Sequence, residues 1–216
     1  MKMMNEKTKR NIIATIFLAA GVGTLPGCFP IIATGVVQGV LVLGDRRPVS
    51  VSTIDRGLQL QIESSVTKNF GEVAHVNVHV FNQKVLITGE ASNPAIKEQI
   101  GAIAKAQSNA KTVFNELQVG VISSAGSRVS DSTLFTIIKT KFLATTDIPS
   151  NSMKIVVEAG RVYLLGLVTE LEAKAAATVA SSSSSSVKEV IKFFDIISEE
   201  EKARLDNPGK PEPTSK

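Results

Sequence analysis

The stretch Asn77-Val78-His79-Val80-Phe81-Asn82-Gln83-Lys84-Val85-Leu86-Ile87-Thr88-Gly89 recurs 77 positions later as Lys154-Ile155-Val156-Val157-Glu158-Ala159-Gly160-Arg161-Val162-Tyr163-Leu164-Leu165-Gly166. Both copies read as β-hairpins. Apolar residues at Val76, Val78 and Val80, then at Val85 and Ile87, recur at period two, which places one face of the hairpin on a core and the other in water. Polar or glycine residues between the two runs supply the turn. Gly89 and Gly166 are assigned to the fold rather than to chemistry. Each ends its second strand, where the chain turns toward a helix and a side chain would obstruct the backbone.

Outward from each hairpin the pattern repeats. A helical segment follows, Pro94 to Ala106 and Glu170 to Ala180. Asn93-Pro94 places a capping residue before a proline at the first helical position. A further strand comes next, Val113 to Val121 and Val187 to Ile197, and an amphipathic helix precedes each hairpin, Thr53 to Phe70 and Asp131 to Thr145. The order is α-β-β-α-β, twice. This repeat resembles the BON domain family, most closely at Gly166-Leu167-Val168-Thr169-Glu170-Leu171-Glu172-Ala173-Lys174-Ala175-Ala176-Ala177. The resemblance implies an α+β fold of two tandem BON domains, residues 53–122 and 130–198, each a small three-stranded mixed sheet packed on two helices. Residues 123–129 form the linker between them. Gln83 stands where the family has a turn glycine, and Ser181 to Ser186 where it has Gly-Val. Serine competes poorly for helix, so the helix should end early there. The Glu-, Lys- and Pro-rich tail, 199–216, reads as disordered.

The other end of the chain reads as an exported leader. Lys2, Lys7, Lys9 and Arg10 precede the apolar run Ile12 to Ala20, and Leu25-Pro26-Gly27-Cys28 follows. A spanning helix needs about 20 apolar residues, so the run is too short to cross a bilayer. The motif resembles the lipobox of bacterial lipoproteins. That resemblance implies a signal peptide over 1–27, a covalent lipid on Cys28 in place of any cofactor, and a lipidated terminus and linker over 28–52. Phe29 after the cysteine implies sorting to the outer membrane, facing the periplasm. Cys28 is the sole cysteine, so no internal disulfide is expected. The net charge of +4 falls nearly to zero once the leader is removed, which argues against nucleic acid as a partner. Arg46 and Arg47 suit either phosphate contact or plain solvation.

Enzymatic chemistry finds no support. His75 and His79 lie four apart on a strand, roughly 13 Å, too far for one metal ion. No phosphate loop appears, and the acids Glu170 and Glu172 suit a helix start. A functional surface emerges instead when the first domain serves as a control for the second. Asp55, Leu58, Ile62 and Val66 match Asp131, Leu134, Ile138 and Phe142 as the core stripe. Where the first helix has Gln59, Gln61, Glu63, Ser65 and Thr67, the second has Phe135, Ile137, Lys139, Lys141 and Leu143. Apolar residues interleaved with lysines suit an anionic bilayer surface, and association of the second domain with anionic phospholipid is also what the resemblance implies. The predicted phospholipid-binding set is Leu134, Phe135, Ile137, Lys139, Lys141 and Leu143. Three alternatives remain open: packing of Phe135, Ile137 and Leu143 on the first domain, a scaffold for proteins of outer-membrane assembly or cell-wall remodelling, and a soluble stress protein with an incidental anchor.

Overall fold

The computed structural model describes residues 44–208. The predicted leader, Cys28, most of the linker and the end of the tail lie outside them. Two α+β domains follow one another. The first runs α1 (Val49–Phe70), β1 (Ala74–Phe81), β2 (Lys84–Ala91), α2 (Pro94–Lys105), β3 (Thr112–Asn115) and β4 (Gln118–Val119). The second runs α3 (Ala125–Ala144), β5 (Met153–Glu158), β6 (Arg161–Val168), α4 (Glu170–Ser181) and β7 (Glu189–Ile196), with a closing helix α5 (Glu199–Asp206). In each sheet the hairpin is antiparallel and the later strand joins parallel to its second arm. The strand expected over Val113 to Val121 is broken after Asn115, because Leu117 turns inward to a buried position and Asn115 donates to the carbonyl of Lys97 in α2.

Each domain has its own core. Leu58, Ile62 and Val66 of α1 lie with Val78, Val80, Val85 and Ile87 of the hairpin and with Ile100 of α2. Leu134, Ile138 and Phe142 of α3 repeat the arrangement over Ile155, Val162 and Leu164. The stripe begins with an acid for a specific reason. Asp55 accepts from the backbone N–H groups of Asn82 and Gln83, both at 2.7 Å, and Asp131 accepts from those of Ala159 and Gly160 at 2.8 and 2.9 Å. Both central residues of each turn have positive φ: 51° and 63° at Asn82 and Gln83, 51° and 77° at Ala159 and Gly160. Such turns match the twist of the hairpin but disfavour side chains. The carboxylate offsets that cost, which lets Gln83 stand in for glycine.

The glycines sit inside their strands rather than at the ends, since β2 runs on to Ala91 and β6 to Val168. Gly89 has φ +112°, and a Cβ there would lie 2.1 Å from the carbonyl oxygen of His75. A Cβ on Gly166 would meet Met153 Cγ at 2.9 Å and the Ser152 carbonyl at 3.0 Å. Close approach of the neighbouring strand demands glycine, not a turn into the helix.

The hairpin faces expected in water are not in water: the two sheets pack face to face, each carrying its helices on the outside. Phe81, Leu86, Val156, Tyr163 and Leu165 form a third buried cluster, bordered by Phe114 and Phe193, whose rings stack at 3.8 Å. Polar contacts rim it in exchanged pairs. Lys84 of the first domain binds Asp195 of the second at 2.7 Å, and Arg161, the repeat equivalent of Lys84, meets Glu116 of the first at 3.7 Å. Asn77 donates to Glu158, and its repeat equivalent Lys154 donates to the Val80 carbonyl. The domains meet as two related halves.

Both ends of the described chain depart from expectation. The composition of the tail predicts disorder from residue 199, yet Ser198 caps α5, whose first turn holds Glu199, Glu200 and Glu201. Acids there favour the positive end of the helix dipole. At the other end, α1 begins at Val49 within the predicted linker, and α3 begins at Ala125, capped by Ser124, within the predicted interdomain linker.

Candidate lipid-contact face

The predicted lipid-binding residues do not share one face. Leu134 is 3% exposed and belongs to the core, so it cannot contribute to the surface. The others alternate at period two, which suits a strand; on a helix, neighbours recur at three and four residues. Phe135, Lys139 and Leu143 therefore line one flank of the core stripe, and Ile137 and Lys141 the other. Hydrogen bonds agree with the split. Lys139 Nζ donates to the Ser150 carbonyl in the α3–β5 connection at 3.0 Å. Lys141 Nζ reaches the carbonyls of Ser182 and Ser183 after α4, at 3.4 and 3.2 Å. Phe135 is 39% exposed and Leu143 65%.

The charge on α3 is one-sided. Its ionisable residues are Arg128, Asp131, Lys139 and Lys141, and Asp131 is turned onto the hairpin amides. No carboxylate of α3 is free to face a membrane. The hydroxyls of Ser130, Ser132, Thr133 and Thr136 donate to carbonyls four residues back, so the outer surface of the helix keeps few unmatched donors. Burial lowers the pKa of Lys139.

Phe135, one of the three apolar residues with packing on the first domain as the alternative to lipid, borders that domain. It lines a cleft of about 610 Å³ together with His75, Asn77 and His79 of β1. His79 faces the second sheet, and burial, followed by the charge of Lys154, lowers its pKa to about 4. The histidines thus serve the interface. Among the described residues no group of three or more His, Cys, Asp or Glu is placed to hold a metal ion, and no helix is long and apolar enough to cross a membrane.

A second constellation is not legible as a site in the sequence. Arg46 is 5% exposed and binds Glu172 through both carboxylate oxygens, at 2.6 and 2.8 Å, and Asp206 at 2.7 and 2.9 Å. Burial alone would raise the Glu172 carboxyl, but hydrogen bonds from Arg46, from the Thr169 amide and from Lys202 lower it to about 2. Arg47 goes the other way, to Asp55 at 2.7 Å and over the Phe81 ring at 3.8 Å. Partners so far apart in sequence leave no spacing signal. The capping box Thr169…Glu172 is readable from its spacing, but its buried partner is not.

Comparison with known proteins agrees with the repeat. A BON domain family model matches residues 55–121 and 130–198. Outer membrane lipoprotein DolP of Haemophilus influenzae is 34% identical over 183 residues, 84% of this chain and 91% of that protein. The 21 kDa hemolysin of Actinobacillus pleuropneumoniae is 29% identical over 155 residues, 71% of this chain and 79% of that one. Among solved structures, the C-terminal domain of CdsD, a structural protein of the type III secretion system of Chlamydia trachomatis, aligns with 65% of this chain and 98% of its own at 11% identity and a TM-score of 0.29. The two matched segments and the length of the lipoprotein match together establish that the chain belongs to the BON domain family, as a lipoprotein of the outer membrane.

Proposed function

We propose that this lipoprotein binds anionic phospholipid through the flank of α3 carrying Phe135, Lys139 and Leu143, and by doing so supports envelope integrity without catalysing a reaction. One observation carries the reading: two exposed apolar side chains stand one turn either side of a lysine, on a helix with no free carboxylate. Apolar side chains enter the headgroup region while each nearby basic residue adds about 1 kcal/mol at an anionic surface. Lipid on Cys28 already tethers the protein, so the helix contributes preference among lipids rather than attachment.

The test uses a soluble form beginning at Val40, which retains Arg46 and Arg47, and vesicles with or without phosphatidylglycerol at low and high salt. Binding should require the anionic lipid and weaken with salt. Phe135→Ser with Leu143→Ser should abolish it while circular dichroism still shows a folded protein, whereas Ile137→Ser on the opposite flank should bind as the parent does. Undiminished binding by the double variant would sink the proposal. A soluble form that ignores every vesicle would assign the face to a protein of outer-membrane assembly or cell-wall remodelling.

A further inference from the structure

Arg46 holds two carboxylates on two edges of one guanidinium, and the two are fixed in different ways. Glu172 accepts from Nη1 and Nη2 at 2.6 and 2.8 Å. It is 6% exposed and belongs to the capping box of α4, so it is part of the second domain's frame. Asp206 accepts from Nε and Nη2 at 2.7 and 2.9 Å, the parallel two-bond geometry by which arginine selects a carboxylate. Asp206 is the last residue of α5, a helix of eight residues with none buried. The chain is last anchored before that helix at Ile197, which is buried and donates its N–H to the Val168 carbonyl. Beyond Ser198 the helix is tied down by Lys202 on Glu172 at 3.1 Å and by Asp206 on Arg46.

We infer that the Nε edge of Arg46 is a binding site for a carboxylate on an acidic segment of a partner protein, that Asp206 fills it as an internal ligand, and that α5 is the latch that yields it. An isolated helix shorter than about 12–15 residues is marginal in water, and one that buries no side chain opens at little cost. Opening strips Nε of its acceptor, while the rest of the guanidinium stays on Glu172 and the Leu167 carbonyl. An unpaired donor in that place is costly, so the vacated edge favours another carboxylate. A cavity of about 440 Å³ adjoins it, walled by Ile148, Pro149 and Asn151 of the α3–β5 connection and by Leu205 and Asp206 of α5. The latch shows the form of the ligand: an aspartate with an apolar neighbour on a polypeptide. A phosphate dianion suits the edge less, because Glu172 already neutralises Arg46 and the second cation, Lys202, leaves with α5. None of Phe135, Lys139 and Leu143 lines this cavity, so the site stands apart from the lipid-contact face.

The probe is a synthetic peptide of residues 197–208 with an N-terminal fluorophore and an amidated C-terminus, titrated with the soluble form beginning at Val40 and followed by anisotropy. In the parent, the tethered Asp206 competes at about millimolar effective concentration, so the peptide should bind roughly tenfold more weakly than to the Asp206→Ala chain. If that chain does not fold, Asp206→Asn takes its place. A peptide carrying Asp206→Asn should bind the opened chain several-fold more weakly than the native peptide. Arg46→Lys added to Asp206→Ala should abolish binding, since lysine keeps the charge opposite Glu172 but lacks the fork. Acetate should displace the peptide better than inorganic phosphate at equal concentration. In hydrogen exchange on the parent, the amides of α5 should open far faster than those of β6.

No saturable binding to the opened chain, equal affinity for parent and opened chain, or binding that survives Arg46→Lys would overturn the carboxylate site. Equal affinity of the two peptides would do the same. Better displacement by phosphate than by acetate would overturn it in favour of a phosphate ligand. Protection of α5 as strong as that of β6 would overturn the latch.

Discussion

Truncating Leu86 to alanine should destabilise the soluble chain as a core mutation does, although Leu86 points away from the core of its own domain. It lies on β2 between Val85 and Ile87, which face α1, and it is 0% exposed because Val156, Tyr163 and Leu165 of the second sheet cover it. Removing three buried carbons from a site that cannot collapse lowers the unfolding free energy by about 2–5 kcal/mol. On a sheet face open to water the same change stays within about 0.5 kcal/mol. The gap between those ranges makes the experiment decisive. Urea unfolding followed by circular dichroism at constant slope supplies the number, with Ile87→Ala as comparator, since Ile87 is buried within the first domain whatever the second does. Both variants should lose comparable stability, and the parent should unfold in one transition. A Leu86→Ala loss within about 0.5 kcal/mol beside an Ile87→Ala loss of several would refute the face-to-face packing of the sheets.

Gly89→Ala should prevent folding or lower the melting temperature severely, because its Cβ would lie 2.1 Å from a backbone oxygen, while Gly57→Ala, with nothing within 4 Å on α1, should add about 0.5–1 kcal/mol. Asp131→Ala should cost about 2 kcal/mol in chemical denaturation by stranding the turn amides of Ala159 and Gly160, and Asp131→Asn less; equal stability of Asp131→Ala and the parent would reject the carboxylate's hold on the turn. Stability should fall on acidification from about pH 6.5 toward pH 4, because the unfolded chain protonates His79 near its ordinary pKa of 6.5 while the folded chain resists until about 4. That shift contributes at most about 3 kcal/mol, and His79→Leu should flatten melting temperature across that pH window.

The hairpin repeat is enough to read both domains, because period-two alternation and the paired acids survive in each copy. The same alternation misleads about water. A sheet face that carries His75, Asn77, His79, Lys84 and Thr88 reads as solvated, and nothing local says that its polar groups are matched by Glu158, Asp195 and Phe193 from the other domain. On α3, matching residues position by position rather than by helical angle merges two flanks into one face and draws in Leu134 of the core. Arg46 looks like one half of a basic pair. Its fate is set by Glu172 and Asp206, and long-range burial of that kind has no periodic trace.

The exchanged contacts between the two sheets bear on how experiments that shorten the gene should be understood. A truncated chain that ends before α3 presents Phe81, Leu86 and Phe114 on a bare sheet, and one that starts at α3 presents Val156, Tyr163 and Leu165, besides losing Arg46. Either fragment carries a sticky surface of a size that invites self-association or proteolysis. A cell expressing one half would report protein quality control rather than the task of the missing half. Two such halves supplied together, by contrast, carry matching surfaces and should reassemble from separate polypeptides.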